Sequence, residues 1–124
     1  MSAQENKELV RRFCEERWNM QNYAVVDELL TADQVEEHKA WMSRVHAVYR
    51  EMRFSIDDII AEADLVALHF TVDGALAHPL TGVGEADDQI HWAGLALVRV
   101  LDGKVVDDRA FFDEVGTLLL TSTE

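Results

Sequence analysis

The chain has 124 residues, of which 48% are apolar, three are Trp and five are Phe. That fits one domain with a real core and leaves no room for two. Acidic residues number 24 against 11 basic ones, for a formal net charge of −13. This excludes a nucleic-acid binder that displaces counterions from phosphates, and a polybasic membrane anchor. No apolar run approaches a membrane span, and the polar opening Met1–Lys7 shows no signal peptide. A single cysteine, Cys14, permits no internal disulfide and no cysteine-based metal cluster, so a cytoplasmic setting is expected.

From Glu5 to Met20 the apolar positions Leu9, Val10, Phe13, Cys14 and Trp18 recur at helical spacing, while Lys7, Arg11, Arg12, Glu15 and Glu16 cover the rest. A short second helix is predicted over Tyr23–Leu30, with Val25, Val26, Leu29 and Leu30 apolar. Thr31 through Gln34 has the form of a capping box. A third helix is predicted from about Asp33 to Met52, with the stripe Val35, His38, Met42, Val45, Tyr49 and Met52 and with Trp41 and Val48 beside it.

After Met52 the period turns extended. Strands are predicted over Arg53–Ile60, Leu65–Val72, Gln89–Leu101 and Lys104–Phe112. Asp102-Gly103 between the last two is a strong hairpin signal. Residues 114–124 read as a short tail, apolar at Leu118–Leu120. Helices over about 5–52 followed by a sheet over about 53–113 imply an α+β fold, with helices packed on one face of an antiparallel sheet. Leu65–Leu68 and Ala93–Val98 are apolar at both parities, so the second face should also be covered. A second copy of the chain, making a homodimer through the outer sheet face, is the expected cover.

The ordered set of segments resembles one family. Asn6–Asn19 (NKELVRRFCEERWN) looks like the opening helix of SnoaL-like proteins, the polyketide cyclase branch of the nuclear transport factor 2-like superfamily. Asp27–Leu30, Phe54–Glu62 with Asp64–Ala67, Leu101–Val106 and Phe112–Gly116 resemble its second helix, first strand and turn, last hairpin and end. The similarity spans roughly Glu5–Leu119. It implies a curved sheet forming a cone, closed by three helices around an apolar pocket, and commonly a dimer. It further implies no metal and no cofactor. The family's enzymes use acid–base side chains in a dry pocket to make and quench enolates or to open epoxides.

The resemblance also locates departures. The acid–base pair of the cyclases maps to Ala96 and Ala110, and the catalytic Asp of the epoxide-hydrolase relatives again maps to Ala110. A polar position on the first helix, often Tyr, matches Cys14, and the connection between the second and third helices is shortened. Methyl groups carry no proton, so the ordinary chemistry needs stand-ins.

His38 interrupts the apolar stripe of the third helix and can serve as acid or base, or else as a core-rim histidine bonded to a carbonyl. Asp108 shares parity with Ala110 and Phe112, so it either aims into the cone or stays hydrated at its mouth. His69 faces either the pocket or the dimer interface. Trp18, Trp41, Tyr49 and Trp92 form a possible aromatic lining, joined by Ala96, Ala110, Phe112 and Cys14. Asp33 reads as a first-turn helix acid, His46 as one step off the stripe, His78 as a loop residue and His91 as an outer-face residue. The histidine spacings match no helical zinc site, and Gly82-Val83-Gly84 is no phosphate loop.

Two functional expectations follow. One is a cofactor-independent cyclase or isomerase acting on a hydrophobic, polyketide-like metabolite. The other is a ligand-binding or dimeric assembly module that has lost the acid–base pair.

Overall fold

The computed structural model describes residues 1–122. Helix α1 spans Ala3–Trp18 and starts at a reciprocal cap: Ser2 Oγ accepts the Glu5 N–H, and Glu5 accepts the Ser2 N–H, each at 3.0 Å. Its buried stripe is Asn6, Val10, Phe13, Cys14, Arg17 and Trp18. Helix α2, Ala24–Leu29, buries Val25, Val26 and Leu29.

The capping box expected at Thr31 is not formed. Thr31 makes no side-chain bond to the helix backbone, and the Gln34 amide bonds the Thr31 hydroxyl instead. The chain makes a 3-10 turn over Ala32–Gln34 before helix α3, Val35–Val48.

The predicted third helix ran too far. Strand β1, Tyr49–Glu62, takes over where the helix was expected to continue. Tyr49 pairs with Leu76 and Arg50 with Ala75. The register then shifts between Arg50 and Arg53, with Glu51 at φ 56°. That extra residue breaks the alternation by which a strand is recognised, while Tyr49 and Met52 keep helical spacing from Val45.

Strands β2 (Leu65–Leu76), β3 (Gln89–Leu101) and β4 (Lys104–Phe112) complete an antiparallel sheet in the order β1-β2-β3-β4. Burial along β2 alternates at every residue: Val66, Leu68, Phe70, Val72 and Leu76 turn inward. Asp102 and Gly103 both have positive φ, 50° and 75°, as the tight hairpin turn requires.

The expected tail is a fourth helix. Helix α4 covers Glu114–Ser122, and residues 123–124 lie outside the described part. Asp113 starts it: Oδ1 accepts the Gly116 N–H at 2.9 Å, while Oδ2 accepts the Ala93 N–H of β3 at 2.9 Å. One carboxylate thus caps the helix and fixes it to the sheet. A Cβ on Gly116 would lie 2.4 Å from the Trp92 ring, so only glycine lets α4 pack this closely. Leu119 and Leu120 are buried beneath it.

The result is the α+β cone anticipated from the sequence: a curved antiparallel sheet whose concave face is closed by helices. The convex face is open in the isolated chain. No helix among the described residues is long and apolar enough to cross a membrane.

Candidate active site

A cavity of about 70 Å³ lies between the concave sheet and helices α1, α3 and α4. Its wall is almost entirely apolar, built from Val45, Met52, Phe54, Phe70, Val72, Leu120 and similar side chains. Trp18 and Trp41 stand edge to face at 5.2 Å, and Trp92 and Phe112 at 5.5 Å. Cys14, Ala96, Ala110, Trp18, Trp41, Trp92 and Phe112 all line this space. Ala96 and Ala110 are direct cross-strand partners, and Val98 pairs with Asp108.

Tyr49 does not line the cavity. It is buried behind it, where its hydroxyl accepts the Trp92 Nε1–H at 2.5 Å. Burial pushes its hydroxyl up to about 12. It fixes the Trp92 ring rather than meeting a ligand.

The charged groups on the wall are Arg17 and Asp108. Arg17 is 5% exposed and was not singled out in the sequence. Its guanidinium lies 4.1 Å from the Phe13 ring centroid and 4.7 Å from that of Trp18. Nη1 donates to His38 Nε2 at 2.8 Å and lies 3.7 Å from Asp108 Oδ2. Nη2 reaches only the Cys14 sulfur, at 3.8 Å. Nε is buried and has no hydrogen-bond partner among the described residues. The signal was available: Arg17 falls on the same helical stripe as Val10, Phe13, Cys14 and Trp18.

This contact redefines His38. It does not line the cavity, and its partner is Arg17 rather than a backbone carbonyl. A guanidinium can only donate, so Nε2 must be the unprotonated nitrogen. Burial first, then the Arg17 charge, pushes the imidazole down to about 3. A ring held neutral by an adjacent cation is a poor proton carrier at neutral pH. It acts as an acceptor that orients Arg17.

His69 also departs from the catalytic reading. It points to the outer sheet face, with Nδ1 3.4 Å from Asp58 and 3.8 Å from Asp57. Strand parity puts it opposite Leu68 and Phe70, away from the cavity. Burial pushes the Cys14 thiol up to about 11, which disfavours its thiolate. His46 bonds the carbonyls of Met42 and Trp18, and His91 pairs with Asp73 on the outer face. Among the described residues no three His, Cys, Asp or Glu side chains come together as a metal site.

Asp108 is thus the carboxylate at the cavity. Its side chain is 28% exposed, so it stands at the mouth with one side toward water.

The geometry defines a class: a helix-capped cone enclosing an apolar pocket with a few polar groups at one end. Residues 8–119 match the sequence profile of the SnoaL-like polyketide cyclases, and the chain belongs to that family. No functionally curated protein matches the chain. AclR from Streptomyces galilaeus superposes with a TM-score of 0.80 at 21% identity, covering 97% of this chain and 83% of that one. A SnoaL-like polyketide cyclase from Agrobacterium tumefaciens str. C58 gives 0.80 at 10% identity, over 94% and 96% of the two chains. An epoxide hydrolase from M. tuberculosis of the LEH-like type gives 0.71 at 17% identity, over 97% and 92%. At such identities these likenesses establish the fold.

Proposed function

We propose that this protein is a cofactor-independent cyclase or isomerase acting on a hydrophobic, polyketide-like metabolite, with Asp108 as its acid–base group. One observation carries the reading: a carboxylate stands at the mouth of an otherwise apolar cavity, 3.7 Å from a buried guanidinium. A cyclase and an epoxide hydrolase share the fold, and both reaction types suit a pocket of this kind.

The step is a balanced isomerisation. Asp108 removes a proton from a carbon beside a carbonyl, giving an enolate. That carbon attacks a second carbonyl of the same molecule, a C–C bond forms, and the new alkoxide recovers the proton from Asp108. Nothing is oxidised and no other reactant is consumed. The apolar wall contributes by folding the substrate so that the reacting carbons meet. Proton transfer by one positioned group is worth about 10²–10⁴ in rate.

The same reading includes a homodimer through the outer sheet face and a cytoplasmic setting. Ile60, Leu95 and Phe111 are 71%, 57% and 72% exposed and border a shallow apolar groove of about 370 Å³ with Ala67 and Leu97. Clustered apolar exposure of this kind favours burial against a partner.

The alternative is a binding module without turnover, favoured by the alanines at positions 96 and 110. Native mass spectrometry of protein from its own host separates the two. A cyclised molecule in the cavity supports catalysis. An open precursor that stays unchanged on incubation supports binding alone.

A further inference from the structure

The pocket's cation is unspent. Arg17 has five N–H donors and is almost wholly withdrawn from water. One donor is used well, on His38. Asp108, at 3.7 Å, is beyond hydrogen-bond length, and Nη2 meets only a thiol sulfur. Nε meets no hydrogen-bond partner among the described residues. Leaving such donors unpaired in an apolar wall is costly, because the group has lost its water. The empty positions also fall together. Nε and Nη2 form one edge of the planar guanidinium, the edge that matches two oxygens of a flat anion. His38 and Asp108 lie on the Nη1 side and leave that edge with only the Cys14 sulfur, 3.8 Å from Nη2.

We infer that the cavity is built for an anionic hydrophobic ligand, one bearing a carboxylate or an equally acidic enolised 1,3-dicarbonyl, whose oxygen pair is received by the Nε/Nη2 edge of Arg17. His38 is then a positioning residue, holding the guanidinium so that this edge stays presented. The rings of Phe13 and Trp18 also hold the guanidinium, their centroids 4.1 and 4.7 Å from its carbon. The inference rests on reading the cavity as a ligand site and adds the charge of what enters it. It also assigns the roles of the polar end: Arg17 binds the acid, and Asp108 moves the proton.

The test is a pair of probes alike in shape and different in charge, benzoate and benzamide, with acetate and acetamide as a smaller pair matched to the cavity of about 70 Å³. Binding is followed by quenching of Trp18, Trp41 and Trp92 fluorescence. Charge-assisted pairing should make the acid bind about tenfold or more tightly than the amide. Arg17→Met should erase that preference while the amide still binds. Arg17→Lys, which keeps charge and loses the fork, should retain only part of it. A purely structural Arg17 would lower both affinities together and leave their ratio unchanged. Added salt should weaken the acid and spare the amide in the unaltered protein, a readout that does not depend on a variant folding. Equal affinity for acid and amide overturns this inference and leaves the ligand site standing. Failure of all four probes to bind overturns both.

Discussion

Arg17 on α1 and His38 on α3 meet at 2.8 Å, cation to neutral ring, inside the wall of the cavity. Two helices are joined there by a bond that exists only while the imidazole stays unprotonated.

That contact sets a pH dependence. The folded ring titrates near 3, the unfolded ring near its ordinary 6.5. Between those values the unfolded chain takes up a proton that the folded chain refuses, so stability falls as pH drops. The contribution is complete above about 6.5 and is lost on descent toward 3, at no more than about 1.4 kcal/mol per pH unit for one group. Urea unfolding between pH 7 and 4 should show this slope. His38→Gln keeps an acceptor for Arg17 and removes the titration, so its slope should be shallower by up to one proton.

Asp108→Asn should leave folding intact, because the side chain is partly hydrated and makes no close bond. Turnover of an identified substrate should drop by about 10²–10⁴. His69→Gln, remote from the cavity, should leave turnover unchanged.

The helices and strands were legible because their periods are clean. The stripe of α1, the alternation of β2 and the Asp102-Gly103 turn each have one physical reading. Tyr49–Met52 were misread because a bulge at Glu51 disguises the strand as another helical turn. The segment of helix α4 reads as a tail because it is short and holds Gly116, a poor helix former that here lets Trp92 approach. The cavity lining was legible from parity once Ala96 and Ala110 were placed. Arg17 was overlooked for a different reason: a charged residue on an apolar stripe is easily assigned to the solvent side. Its burial is created by His38 and the rings of Phe13 and Trp18, which come from distant or neighbouring turns and meet only in the fold.

Ala96 and Ala110 face each other across β3 and β4 and leave space in the cavity that larger side chains would fill. Ala96→Val should therefore weaken ligand binding. Stability should hold or rise by about 0.5–2 kcal/mol, as cavity filling commonly gives. Paired thermal melts, with and without benzoate, report both effects. A variant that still binds fully would place the ligand elsewhere.

The outer face should associate. Sedimentation at micromolar concentration is expected to show a dimer of the 14.1 kDa chain. Phe111→Asp should yield a monomer, by placing a charge in the apolar groove. Each chain carries a net −13, so moderate salt should strengthen the dimer by screening repulsion. A dimer that weakens with salt would require a different interface.

The most direct measurement compares the small molecules extracted from wild-type and Asp108→Asn protein, each produced in the native host. If Asp108 carries the proton in an isomerisation, the two extracts contain compounds of identical elemental composition and different structure, cyclised from the wild type and open from the variant. The same compound from both proteins would contradict catalysis at this site and leave a binding protein in its place.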